Sequence, residues 1–376
     1  MKDHSSKCVH AGTIGNIENT GVNSPIYTST SFQFIDREET VYPRYLNTPN
    51  EKAVAEKIAA LEDMESALVF SSGMAAISTT LFSILGSGDH MVLQKGLYGG
   101  TTNFILSELE RFGISYTFAK SQEAKDIMNA VESNTRLIYL ETPSNPLLSI
   151  TDLEEVATAA KKAGLITVVD NTFASPINQQ PVKQGIDIVV HSATKYLGGH
   201  SDLCAGAVAC SQALIEPIHK TGLNFGGSLN ALDLYLLERS IKTLDVRVSR
   251  INRNAQVIAE FLAYHPNVSR VNYPGLPEHP GFGIARKQMS GFGGMLSFEL
   301  KEADSIAFQK RLRLIRSSMS LGGVETIVSS PAHTSHRHLG IEGRKREGIA
   351  EGLIRMSVGI ESFADLIEDL DQALEK

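Results

Sequence analysis

Short apolar runs rich in β-branched residues recur at 67–70, 91–94, 114–118, 137–140, 166–169, 186–190 and 205–209, with helical stretches between them. Each run is apolar on both faces, the pattern of strands in a mainly parallel sheet covered by helices on both sides. Ligands of such sheets sit beyond the carboxyl ends of the strands. Asp170 and Ser192 fall at two of those ends. Good helix formers with i,i+4 charges predict a helix over 51–61, and a longer one from 229 to 244 that runs on toward 262. Residues 1–46 are rich in Thr, Ser, Asn and Gly without a sustained helical period, which predicts an extended arm that a compact monomer could not easily bury. Beyond 245 helices mix with strand-like pieces such as 294–300. The organisation expected is therefore an arm over 1–46, a larger α/β domain over 47–244, and a smaller C-terminal α+β domain over 245–376.

Composition narrows the picture. A chain of 376 residues is too long for one ordinary core. With 42% hydrophobic and 20% charged residues it reads as globular rather than disordered. A net charge of −7 gives no electrostatic reason to expect nucleic acid or an anionic membrane as partner. No apolar run approaches the roughly 18 residues of a membrane span. The opening residues Met1 to Lys7 lack the apolar stretch of a signal peptide. Cys8, Cys204 and Cys210 form no zinc spacing and suit a reducing compartment, so the cytoplasm is the expected location.

The run His191-Ser192-Ala193-Thr194-Lys195-Tyr196 carries the most chemistry. An Asp closing one buried strand and a Ser-x-Thr-Lys closing another suit a pyridoxal phosphate pocket. The Asp170 carboxylate would pair with the ring nitrogen, the Lys195 amine would hold the aldehyde as a Schiff base, and the two hydroxyls would bond phosphate oxygens. Ser71-Ser72-Gly73-Met74-Ala75-Ala76 follows the first run and opens a helix, where small residues let backbone N–H groups approach a phosphate. No GxGxxG fingerprint stands at this place, which argues against a dinucleotide fold. Tyr98, before two glycines, offers a flat ring to stack on the pyridine and a phenol able to exchange protons. In Glu141-Thr142-Pro143-Ser144-Asn145-Pro146 the Asn145 amide could reach the cofactor's ring oxygen or a substrate carboxylate. Arg355 is a natural bidentate partner for an α-carboxylate. His333, His336 and His338 are dense in imidazole, but no Cys or carboxylate lies at zinc-like spacing and Arg337 is interleaved, so no metal is expected.

Asp170-Asn171-Thr172-Phe173, Ser192-Ala193-Thr194-Lys195-Tyr196, Gly199-His200-Ser201-Asp202, Tyr98-Gly99-Gly100-Thr101, Ser320-Leu321-Gly322-Gly323-Val324-Glu325 and Arg355-Met356-Ser357-Val358-Gly359-Ile360-Glu361 together resemble the Cys/Met-metabolism pyridoxal phosphate enzymes. These include cystathionine γ-synthases, cystathionine β- and γ-lyases, methionine γ-lyases and O-acylhomoserine sulfhydrylases. The resemblance covers nearly the whole chain in order. It implies the fold-type I, aspartate-aminotransferase-like architecture, with Lys195 as the Schiff-base lysine and Asp170 as the pyridinium partner. It further implies that Tyr98 stacks on the ring and that Ser192, Thr194 and the backbone of Gly73 and Met74 hold the phosphate. Arg355, Ser320 and Asn145 would hold the substrate carboxylate. Tyr42 and Arg44 would complete the phosphate site of a neighbouring subunit, implying a homo-oligomer that is at least a dimer, with a homotetramer expected. The sequence departs from the family in reading Asn47-Thr48-Pro49 where Asn-Pro-Thr is usual. Gly100 stands where many methionine γ-lyases carry Cys, and Asn103 where cystathionine-handling members often carry Arg. Tyr45 replaces an Arg found in some synthases. The expected activity is a carbon–sulfur lyase acting on cystathionine, methionine or homocysteine, with γ-replacement on an O-acylhomoserine as the alternative.

Overall fold

The computed structural model describes residues 1–15, 21–302 and 304–375. The seven apolar runs are the seven strands of its larger sheet: β1 (Ser66–Phe70), β2 (His90–Leu93), β3 (Ser115–Phe118), β4 (Thr135–Glu141), β5 (Ile166–Asp170), β6 (Ile188–His191) and β7 (Gly206–Cys210). Their order is β1-β7-β6-β5-β4-β2-β3. Strands β2 to β6 pair in parallel, whereas β7 runs antiparallel to both β1 and β6. The reversal follows from the connection. Residues 192–205 contain no helix, so the chain turns back instead of crossing over.

The first residues are not extended, contrary to the sequence expectation. Helix α1 (His4–His10) is capped by Asp3, whose carboxylate accepts from the Ser5 amide at 2.9 Å. It is docked by Lys7, 2.8 Å from Asp63, and by Ser5, 2.6 Å from Asp245. A seven-residue helix is too short to persist alone, and these tertiary contacts hold it. Of the rest of the arm, residues 16–20 lie outside the described residues, and 21–42 form neither helix nor strand. Val22, Phe34 and Ile35 are 88%, 68% and 61% exposed there.

Helix α2 (Pro49–Glu62) shows what the departure at 47–49 does. Thr48 is the N-cap, and Pro49 takes the first helical position. The Thr48 hydroxyl accepts from the Glu51 amide at 3.3 Å while Glu51 accepts from the Thr48 amide at 2.8 Å, a reciprocal capping box. Asn47 is freed to accept from the Tyr42 amide at 3.0 Å, which pins the arm beside the helix start.

Helices cover both faces of the sheet. Val54, Ile58 and Leu61 of α2 pack on Val69 and Ala207. Ile77 and Leu81 of α3 (Gly73–Ile84) pack on Phe70, Val168 and Val190. Each such side chain, fully buried, contributes about 1.5–3 kcal/mol relative to exposure. Beside the sheet, the expected long helix is two, Ala231–Ile241 and Leu244–Tyr264. They break where the Ser240 carbonyl leaves the helix ladder to accept from Thr243 Oγ1 (3.1 Å) and Arg247 Nη2 (2.9 Å).

The second lobe is a five-stranded sheet in the order β10-β11-β12-β9-β8. Its strands are β8 (Val268–Asn272), β9 (Met295–Leu300), β10 (Arg316–Ser317), β11 (Ile327–Ser329) and β12 (Leu353–Ser357). The helices Leu244–Tyr264 and Phe363–Leu374 back it through Ile258, Leu262, Leu366 and Leu370. Strand β12 carries Arg355 toward the carboxyl ends of β4 to β6. Among the described residues no helix is long and apolar enough to cross a membrane.

Candidate active site

The ends of β4, β5 and β6 carry Glu141, Asp170 and, one residue on, Ser192. Thr172 ties two of them together. Its amide donates to Asp170 Oδ1 at 3.0 Å, and its hydroxyl accepts from the Ser192 amide at 2.8 Å. Strand alternation sends Asn171 and His191 to the opposite face, where both reach the buried Glu62 of α2, at 3.0 and 2.5 Å. The strand ends are thus anchored from behind while Asp170 faces forward.

The turn bearing Lys195 is fixed along its length. Its amide donates to the Ser192 carbonyl at 3.0 Å, and its carbonyl accepts from the Gly199 amide at 2.7 Å. Arg247 donates to the carbonyl of Tyr196 at 2.8 Å. Lys195 Nζ donates to Ser320 Oγ at 2.7 Å. Burial, and then the positive charge of Arg355, push the amine's pKa below its ordinary value.

Ser320 has φ +84°, a left-handed backbone that a serine adopts only where the surroundings enforce it. In that conformation its hydroxyl meets Lys195 while its carbonyl accepts from Arg355 Nη2 at 3.0 Å. Arg355 Nη1 donates to Asn145 Oδ1 at 3.2 Å. Burial lowers the guanidinium pKa to about 10, so it stays a cation at neutral pH. Lys195, Ser320, Arg355 and Asn145 therefore form one hydrogen-bonded chain across the two lobes.

Helix α3 opens at Gly73. Its N-cap Ser72 accepts from the Ala75 amide at 3.1 Å, leaving the amides of Gly73 and Met74 ahead of it. A Cβ on Gly73 would stand 2.9 Å from Ser192 Cβ, so only glycine lets this turn sit against the β6 end. The Thr194 hydroxyl accepts from the Ala205 amide at 3.0 Å and donates to its carbonyl at 3.1 Å. Tyr98, half exposed, precedes α4 (Gly99–Glu108), and its ring lies over Gly100, where a Cβ would run into it. Asp170 is buried, which raises its carboxyl pKa against the hydrogen bonds from Thr172 and the nearby His191. A forward-facing buried carboxylate, a free-ended helix and an amine fit a phosphorylated pyridine aldehyde, whose ring N–H⁺ would neutralise Asp170 and whose phosphate would take the helix amides.

The arm residues lie apart from this group within the chain. Among the described residues, Arg44 donates to Leu223 O at 2.6 Å and lies over the Tyr45 ring, and Tyr42 packs edge-on against Tyr45. A cavity of about 590 Å³ opens beside Asn145, lined by Lys95, Thr102, Pro146 and Glu347 among others, with Lys95 and Glu347 3.7 Å apart. Asn145 lines it, whereas Lys195, Tyr98 and Arg355 do not, so the cleft adjoins the hydrogen-bonded group at Asn145. No group of three or more described His, Cys, Asp or Glu residues is placed to hold a metal. The side chain of His338 lies outside the described residues.

Two residues had no role in the sequence reading. Thr172 was visible only as part of a motif. Glu141 closes β4 as Asp170 closes β5, and an acid ending each of two adjacent strand runs was the available signal.

The family model described as Cys/Met metabolism PLP-dependent enzyme matches residues 5–375. The chain is 43% identical over 385 aligned positions to an L-methionine gamma-lyase of Fusobacterium nucleatum, covering 98% of this chain and 97% of that one. It is 44% identical over 371 positions to a cystathionine gamma-lyase of Bacillus subtilis, covering 98% of each. Among solved structures, cystathionine gamma-lyase from Lactobacillus plantarum complexed with L-serine is similar with a TM-score of 0.95 at 37% identity, over 99% of this chain and 98% of that one.

Proposed function

The chain belongs to the Cys/Met metabolism PLP-dependent enzyme family, and on that premise we propose that it is a carbon–sulfur lyase, eliminating the sulfur side chain of cystathionine, methionine or homocysteine. Its cofactor is pyridoxal 5'-phosphate, which supplies the electron sink that stabilises negative charge at the substrate Cα. The observation that carries the reading is the chain from Lys195 through Ser320 to Arg355 and Asn145, which sets an amine of lowered pKa beside a buried carboxylate clamp. Residues 47–244 are the cofactor-binding domain in this reading, and 245–376 the lobe that brings the clamp.

Arg355 and Asn145, with Ser320, hold the substrate α-carboxylate, orienting Cα toward Lys195. Lys195 Nζ anchors the cofactor and takes the Cα proton. Asp170 would keep the ring nitrogen protonated, Gly73 and Met74 with Ser192 would hold the phosphate, joined by Thr194 when its hydroxyl turns from the Ala205 carbonyl, and Tyr98 would cover the ring. The Tyr98 hydroxyl delivers a proton to the departing sulfur. Release of a 2-oxo acid and ammonia, with a thiol from L-cystathionine or L-methionine and hydrogen sulfide from L-homocysteine, is the expected outcome of a steady-state panel. Turnover of only O-acetyl- or O-succinylhomoserine with an added thiol would overturn the lyase reading in favour of γ-replacement.

The enzyme acts as a homo-oligomer of at least two chains, with a homotetramer the further expectation. The exposed Val22, Phe34 and Ile35 leave the arm an apolar strip, and Tyr42 and Arg44 reach the phosphate site of the neighbouring subunit. Mixing Lys195→Ala with Arg44→Ala chains, each inactive or weakened alone, should rebuild one intact site per hybrid pair and recover about a quarter of wild-type activity. An additive, unrecovered mixture would show that the arm serves its own site. The free thiols of Cys8, Cys204 and Cys210 support action in the cytoplasm.

A further inference from the structure

Glu141 and Asp170 are register partners on neighbouring strands, so their side chains rise side by side from the same face. Both are buried. Glu141 Oε2 accepts from the Tyr98 amide at 2.6 Å, and the Asn145 backbone N–H faces the same carboxyl. One carboxyl therefore touches both the loop that carries the stacking ring and the loop that carries the carboxylate clamp. Its own backbone is held rigidly. Gln94 Nε2 donates to the Glu141 carbonyl at 2.6 Å, Gln94 Oε1 accepts from the Glu141 amide at 3.2 Å, and Thr151 donates to Gln94 at 2.9 Å. Such bracing of a side chain that touches no reacting atom points to placement.

We propose that Glu141 is a positioning residue whose carboxyl, bonded to the amide of Tyr98 and faced by that of Asn145, sets where the Tyr98 ring lies over the cofactor and where Asn145 meets the substrate carboxylate. The inference rests on the site reading above, with Lys195 holding the cofactor and Asp170 facing its ring nitrogen. Two adjacent buried carboxylates cannot both ionise without large repulsion. Burial first, and then the charge of Asp170, drive the Glu141 pKa well above the ordinary carboxylate range. Arg355 opposes this from across the site; Tyr139 adds burial and no cation, and His191 favours charge on Asp170 instead. Protonation of Glu141 is thereby favoured, in a form that still accepts from the Tyr98 amide, and His191 favours the negative charge on Asp170.

The test compares Glu141→Ala, Glu141→Gln and Glu141→Asp, each reconstituted with pyridoxal 5'-phosphate. The readouts are the induced circular dichroism of the bound cofactor, the split between kcat and KM, and the thermal midpoint. Ala should retain the cofactor absorbance, lose most of the induced dichroism and lower kcat/KM by about a hundredfold, the scale of a misplaced reacting group. Gln, a neutral acceptor of the same length, should recover much of that loss. Asp, one methylene shorter, should change the dichroism without lowering the thermal midpoint, and it decides the matter if Ala does not fold. Wild-type dichroism and kinetics in Ala or in Asp would overturn the proposal, as would a Gln variant as damaged as Ala. Failure of the underlying site reading would look different: the cofactor band would survive Lys195→Ala.

Discussion

Replacing Lys195 with alanine should abolish turnover of every sulfur amino acid and remove the absorbance band that the lysine–cofactor bond gives the loaded enzyme. The loss should be about 10⁴-fold or more in kcat/KM, because in the proposed reading one side chain would supply both the covalent anchor and the proton acceptor. The structure gives the physical basis. Nζ is directed at Ser320 by a 2.7 Å bond, and burial with the Arg355 charge depresses its pKa. A depressed amine pKa leaves a larger neutral, basic fraction near neutral pH than an ordinary lysine has. Absorbance spectra and 2-oxo acid release check the result, and normal turnover in the variant would remove Lys195 from its role. Wild-type far-ultraviolet dichroism in the same sample would show that the fold is intact.

The reach of the sequence is clearest at the strands. Runs that are apolar on both faces are satisfied only in a sheet covered on both sides, so all seven were readable. Direction was not, because an apolar run is the same read either way; β7 reverses on account of the helix-free link 192–205. The break at Lys242 and Thr243 escaped for a related reason. The helical period continues through both halves, and the deciding group is the Arg247 side chain, seven residues on, which takes the Ser240 carbonyl. Helix α1 is held by Lys7 and Asp63, a pair 56 residues apart that no local pattern reveals.

At the site, residue types were legible and their joining was not. Lys195 and Arg355 sit in separate lobes, and only the backbone of Ser320, at φ +84°, brings a hydroxyl to one and a carbonyl to the other. Glu141 needed the strand register, since its meaning comes from lying opposite Asp170. Within the chain Arg44 turns toward Leu223, so the phosphate-site role proposed for Tyr42 and Arg44 would need a second chain.

Arg355→Leu should lower kcat/KM by roughly a hundredfold or more, about 3 kcal/mol, because a substrate carboxylate loses two charge-assisted hydrogen bonds in a buried site. Most of the loss should appear in KM, since the clamp is engaged before and during reaction alike. Arg355→Lys keeps the charge but not the fork that serves Asn145, Ser320 and the substrate together, so it should fall between wild type and Leu. The two variants also separate binding from electrostatics. The Arg355 cation is, after burial, the next cause of the low Lys195 pKa. Removing a positive neighbour makes protonation of the Lys195 amine, free once substrate has taken its place on the cofactor, easier and raises its pKa, so in Leu the acidic limb of kcat should move to higher pH. In Lys, where a cation remains, that limb should stay near its wild-type position. A Leu variant with an unshifted limb would mean that burial alone sets the amine. A Lys variant as active as wild type would mean that charge, rather than bidentate geometry, is what the clamp provides.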